Sequence, residues 1–201
     1  MRNTSLFVYK RGPSVDSSKW YMGMLLTFLA ESEGTGGRFS LIEGCLKPGN
    51  EPPPHVHERE DELFYVLEGK MDVYVGNKVF NVGTGECLFL PRLKPHTFVV
   101  RSPRLRNLVL FVPGGLEECF RTRSSPADKL ELPTGAVTYS TSNLDSVIHA
   151  FEKHGVRFCL QMRLRSKCRC TLAPGTRPLQ KLLRSSNFYL EGLFPFYGSP
   201  R

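Results

Sequence analysis

Long apolar runs are missing from this sequence. The longest, residues 21–30, is about half of the ~20 residues that a membrane-spanning helix requires, so no such helix is expected. Within the first ten residues the apolar stretch is only Leu6-Phe7-Val8-Tyr9, too short for the core of an export signal. Without such a signal, Cys45, Cys87, Cys119, Cys159, Cys168 and Cys170 are expected as reduced thiols in a cytoplasmic protein. Acidic residues are scarce in one region alone. Residues 161–201 hold 8 Lys+Arg against 1 Asp+Glu, whereas residues 1–160 hold 19 against 18. The formal net charge of +8 therefore belongs to the tail, and the nearly neutral body gives no support from charge to a nucleic-acid or anionic-membrane partner.

Turn formers, by contrast, are abundant. Eighteen glycines and fifteen prolines are spread between short runs rich in Val, Leu, Phe and Tyr. Strand-like runs occupy residues 21–30, 38–46, 63–67, 71–75, 78–82, 86–90, 97–100 and 107–112, with Gly-rich or Pro-containing separators between them. So many short strands in so little chain imply an all-β fold, a closed barrel or two-sheet jelly roll, because closure removes exposed edges. At 201 residues there is room for one such domain and an accessory segment. Residues 1–37 are expected to complete the barrel, 38–115 to form its core, 116–160 to supply a helical segment packed outside it, and 161–201 to form an irregular basic extension. In the third segment Asn143 can cap a helix in which Leu144, Val147, Ile148 and Phe151 recur at helical spacing, and Gly155 suits its C-terminal cap. His154 with Cys159, Cys168 and Cys170 matches no common structural zinc spacing.

Three of the five histidines fall between residues 55 and 96, and two form His55-Val56-His57 directly after three prolines. In an extended segment alternate side chains face the same way, so both imidazoles point together with Cα atoms about 6 to 7 Å apart, a separation that suits two ligands on one metal. Glu58-Arg59-Glu60-Asp61 reads as a polar turn, and Glu62 opens the next apolar run, where it can face the two histidines from a neighbouring strand. His96, after the stiff corner Pro91-Arg92-Leu93-Lys94-Pro95, is the remaining candidate. Three imidazoles and a carboxylate suit one divalent transition metal (Fe, Mn, Ni, Co, Zn or Cu) better than Ca or Mg, which prefer oxygen shells. Asp61 is a competing carboxylate. Tyr65, Tyr74, Phe64, Phe89, Phe98 and Phe111 can line an aromatic cavity, although core packing is the expected role for most of them.

These residues resemble the cupin superfamily. Its first motif, G-x5-H-x-H-x3-4-E-x6-G, is met by Gly49, His55, His57, Glu62 and Gly69; its second, G-x5-P-x-G-x2-H-x3-N, is met by Gly85, Pro91 and His96, with Leu93 and Val100 in place of the usual Gly and Asn. The resemblance implies a jelly-roll barrel with His55, His57, Glu62 and His96 as ligands of a metal in its mouth. The stretch from Pro52 to Gly69 is similar to small quercetin 2,3-dioxygenase-like cupins. That implies a metal-dependent dioxygenase acting on an enolisable or flavonol-like aromatic, with Glu62 as the proton acceptor. The alternatives are a non-catalytic metal or small-ligand sensor and a sugar isomerase or epimerase. Pairing is common among single-barrel cupins, and the run 21–30 lacks an obvious sequential partner strand. A homodimer that exchanges this strand is therefore expected.

Overall fold

A side chain that alternates in and out along a strand is the local signature of a sheet with one face on a core. In the computed structural model, which describes residue 6 and residues 8–134 and 141–159, this alternation is strict where it matters. Over Ser40–Leu46 every second residue is buried, and Glu62, Phe64 and Val66 turn inward from Asp61–Glu68 in the same way. The described strands, in chain order, are β1 (Ser18–Tyr21), β2 (Met24–Ala30), β3 (Ser40–Leu46), β4 (His55–His57), β5 (Asp61–Glu68), β6 (Lys70–Val75), β7 (Lys78–Gly83), β8 (Cys87–Leu90), β9 (His96–Val100), β10 (Leu105–Val112), β11 (Ser125–Pro126) and β12 (Val156–Phe158). Three helices accompany them: α1 (Ser32–Thr35), α2 (Glu117–Thr122) and α3 (Thr141–Lys153).

The strands form two antiparallel sheets. One has the order β11-β1-β2-β3-β10-β5-β8 and the other β12-β4-β9-β6-β7. They face each other across a core in which Val66, Val73 and Leu105 are fully buried, with Met71, Ile42, Leu46 and Phe111 close behind. This is the jelly-roll arrangement expected from the strand count. Gly69 marks a point where sequence and geometry agree closely. It turns the chain from β5 into β6 at a φ of 89°, and a Cβ there would meet the carbonyl oxygen of Arg104 and the hydroxyl of Ser102. Only glycine satisfies both demands.

Several expectations change. The apolar run 21–30 is not one strand: Met22 and Gly23, both at positive φ, close a two-residue hairpin between β1 and β2. β2 then pairs with β3 on its other side, so it has neighbours along both edges. The unpartnered strand on which exchange between two copies was argued is therefore satisfied within its own sheet. Strands also continue beyond residue 112, because β12 adds to the edge of β4 and β11 to the edge of β1. Helix α3 starts before Asn143 and does more than lie on the outside, since Ile148 and Phe151 are buried and Val147 lies against the core. The basic segment 161–201, with Cys168 and Cys170, lies outside the described residues.

Candidate metal centre

The histidine pair owes its geometry to β4. This strand of three residues is held between β9 and β12, with His55 directly opposite His96 on β9 and His57 opposite Val156 on β12. Alternation buries His55 and His57 and leaves Val56 partly exposed on the other face. Glu62 approaches from β5, in the opposite sheet. The site is thus built across the two sheets, three imidazoles from one and a carboxylate from the other.

One donor atom from each of His55, His57, Glu62 and His96 lies within 4.8 Å of every other, and all four residues are buried. Glu62 Oε2 is 3.0 Å from His96 Nε2 and 3.5 Å from His57 Nε2. The opposite ring nitrogens are committed elsewhere. His55 Nδ1 lies 2.8 Å from the Pro53 carbonyl oxygen and His96 Nδ1 lies 3.0 Å from that of Lys94. Donation of Nδ1–H to a carbonyl leaves the Nε2 lone pair facing the cluster, the tautomer a metal ligand needs. His57 Nε2, His96 Nε2 and Glu62 Oε2 are all buried without a well-aligned hydrogen-bond partner among the described residues. Orphaned polar atoms that converge on one point are costly unless something binds them. The cluster fits a divalent metal.

Burial dominates the electrostatics. It pushes the His55 imidazole well below its ordinary range, and the neighbouring His96 and His57 push it further in that direction. Burial alone would raise the Glu62 carboxyl, but His57 and His96 outweigh it and hold the group below the usual carboxylate range. Burial would likewise lower His96, yet contact with Glu62 raises it. Glu62 is therefore an anion in this site, which is the form that binds a cation.

Sequence reading missed one member of the neighbourhood. Glu60, assigned to a polar turn, is only 4% exposed, and its Oε2 lies 3.7 Å from His57 Nδ1 with no hydrogen-bond partner among the described residues. The only sequence signal was its three-residue spacing from His57. Asp61 takes no part: its Oδ1 accepts the Arg92 backbone N–H at 2.9 Å. His149 is exposed and His154 half-buried, and neither joins the cluster.

Beside the cluster lies a cavity of about 140 Å³ whose wall includes Phe64, Phe98, Phe111, Phe120, Phe151 and Phe158, with Tyr21 against Phe120 and Phe151. Of the six aromatics singled out in the sequence, Phe64, Phe98 and Phe111 line it. Tyr65 and Phe89 are exposed, and Tyr74 packs elsewhere with its hydroxyl accepting from Arg101. The later phenylalanines come from α2, α3 and β12, segments in which no site residue was expected.

Residues 43–113 match the family model described as "Cupin domain". The chain belongs to the cupin superfamily. Among curated relatives, this cupin is 29% identical over 98 residues to a quercetin 2,3-dioxygenase of Bacillus subtilis, a match covering 49% of this chain and 29% of that one. It is 26% identical over 134 residues to a quercetin 2,3-dioxygenase of Aspergillus japonicus, covering 61% of this chain and 38% of that one. An uncharacterized protein of Streptomyces coelicolor is 31% identical over 91 residues, with 45% of this cupin and 81% of that protein covered. The cupin spans only about a third of the two dioxygenases. No described helix is long and apolar enough to cross a membrane.

Proposed function

We propose that this cupin is a metal-dependent dioxygenase acting on an enolisable or flavonol-like aromatic, with His55, His57, Glu62 and His96 as the metal ligands. The observation that carries the reading is the contact between the buried cluster and a phenylalanine-lined cavity: His55, His57 and Glu62 are themselves part of the cavity wall. The dioxygenase relatives support it at low identity. A divalent metal held by the cluster supplies Lewis acidity that lowers the pKa of an enol or hydroxyl, and a redox-active one opens a route for electrons from the substrate to O2. The protein's own contributions are positional. The apolar wall accepts a flat ring and excludes water, while the Pro53 and Lys94 carbonyls fix the orientation of two imidazoles. In this reading Glu62, as ligand or after swinging off the metal, accepts the substrate's hydroxyl proton.

Among the described residues, none lining the cavity is Lys or Arg. A sugar phosphate would find no cationic side chain there, which disfavours an isomerase or epimerase of such substrates. A non-catalytic small-ligand sensor would use the same cavity and differ only in turnover. Oxygen uptake over a panel of enolisable aromatics decides between them, measured on protein shown by metal analysis to hold about one ion per chain. Consumption that His96→Ala abolishes is expected. Fully loaded protein that consumes no oxygen with any member of the panel rules out the enzyme, and protein that takes up no metal even after reloading rules out the site.

A further inference from the structure

Of the polar side chains in the cavity wall outside the metal cluster, Asn50 donates to the Met22 carbonyl and Glu51 accepts from the Gly49 and Val100 N–H groups, and Asn107 stands apart from them. Asn107, on β10, is only 2% exposed and forms part of the cavity wall. Among the described residues its side-chain amide takes part in no hydrogen bond, yet neither of its polar atoms is among the fully enclosed ones left without a partner, so the surface it keeps is open to the cavity. It sits opposite Gly44 on β3 and Val66 on β5. A Cβ at Gly44 would lie 2.9 Å from Asn107 Oδ1, so the glycine leaves clear the space that the amide occupies.

Strand register places this amide relative to the cluster. Phe111 lies opposite Glu62, Val109 opposite Phe64, and Asn107 opposite Val66. Asn107 is thus four residues along β10 from the level of the carboxylate ligand, about 13 Å at the rise of an antiparallel strand. Phe111, Val109 and Asn107 all line the cavity, which therefore extends along β10 from the level of Glu62 to the amide.

An apolar side chain of the same size would fill this position without presenting a donor and an acceptor to the cavity. We infer that Asn107 is a specificity-determining residue: its amide hydrogen-bonds a hydroxyl or carbonyl oxygen at the end of a flat apolar ligand farthest from His55, His57, Glu62 and His96. The ligand class is an aromatic carrying oxygen at both ends, one group for the cluster and one for the amide. A hydroxyl suits the amide well, because it can donate to Oδ1 and accept from Nδ2. The inference rests on the reading of the cavity as an aromatic-binding site, and it adds a second polar anchor to that site.

Titration of the full chain with p-cresol and with toluene, which differ only by a hydroxyl, tests the inference without turnover. Wild-type protein is expected to bind p-cresol about tenfold or more tightly than toluene, because a site built to hydrogen-bond a hydroxyl rejects the analogue lacking one. The preference should persist after metal is stripped by a chelator. In Asn107→Leu it should shrink to about twofold or less, with a melting temperature within a few degrees of wild type, since leucine is similar in size and the amide makes no hydrogen bond with the described residues. Asn107→Val provides the same comparison with a smaller, strand-favouring side chain if leucine overfills the space. A preference that survives both substitutions, that vanishes on chelation, or that is absent from wild type overturns the inference, as does failure of both ligands to bind. Lack of oxygen uptake overturns the dioxygenase reading alone and leaves this comparison intact.

Discussion

At the scale of single residues, the cluster was legible because its spacing has one geometric meaning. His-x-His in an extended segment puts two imidazoles on one face, and the structure holds both buried on β4. Glu62 and His96 needed the motif offsets, since nothing local relates β5 and β9 to β4. Glu60 was not legible, because Glu58-Arg59-Glu60-Asp61 is polar throughout and burial of one member depends on how the strands close around it. Its carboxylate faces His57 Nδ1 at 3.7 Å, close enough for small movements to complete the hydrogen bond that fixes a ligand histidine's tautomer. Glu60→Ala is therefore expected to weaken metal binding roughly 10- to 100-fold, with Glu60→Gln intermediate because its amide can still accept from Nδ1–H. Competition against a chelator of known affinity measures this directly. Unchanged affinity in Glu60→Ala would show that His57 is oriented without it.

At the scale of elements, long strands were read correctly and short or disguised ones were not. The hairpin in residues 21–30 was hidden because one of its two turn residues is Met22, which is apolar and rare at a positive φ of 47°. β12 is only three residues long, too short for alternation to register. Yet it shields His57 and supplies Val156 and Phe158 to the cavity. Helix α2 was also unseen, and it carries the buried carboxylate of Glu117. That side chain accepts the backbone N–H of Ser32 at 2.6 Å and that of Gly115 at 2.6 Å, tying α1 and the chain after β10 to one point. Burial would raise its pKa, but these hydrogen bonds outweigh burial and hold it below the ordinary range. A group whose folded pKa is depressed contributes stability that is fully present above its unfolded pKa and is lost as pH falls through the folded value. Urea midpoints are thus expected to fall as pH drops below about 4.3, the ordinary glutamate value. In Glu117→Gln part of that fall should be missing, and stability at pH 7 should be lower by about 1–3 kcal/mol. Parallel pH profiles for the two proteins would remove Glu117 as the cause.

At the scale of the whole molecule, fold class followed from composition and turn spacing. What did not follow is that residues after 112 help to build the site. Among the described residues, both sheets reach their full strand complement by Phe158, with the Cys159 N–H bonded to the Pro54 carbonyl at 2.7 Å. Two truncations separate the contributions. A chain ending before Leu164 keeps β12 and its contacts, and it is expected to retain metal and to melt within a few degrees of the full chain. A chain ending at His154 loses Val156, which is 1% exposed, together with the ring of Phe158, and leaves the β4 edge unpaired. Burial of a large apolar side chain stabilises by about 1.5–3 kcal/mol, so two of them amount to roughly 3–6 kcal/mol. At about 2–4 °C per kcal/mol for a protein of this size, the fall in melting temperature is on the order of 10 °C. Metal occupancy should fall with it, because β4 carries two of the four clustered side chains. Calorimetry and metal analysis on both truncations check this together. A large loss of stability already in the longer chain would show that residues beyond Arg163 pack on the barrel, and an unchanged shorter chain would show that β12 supports neither the sheet nor the metal centre.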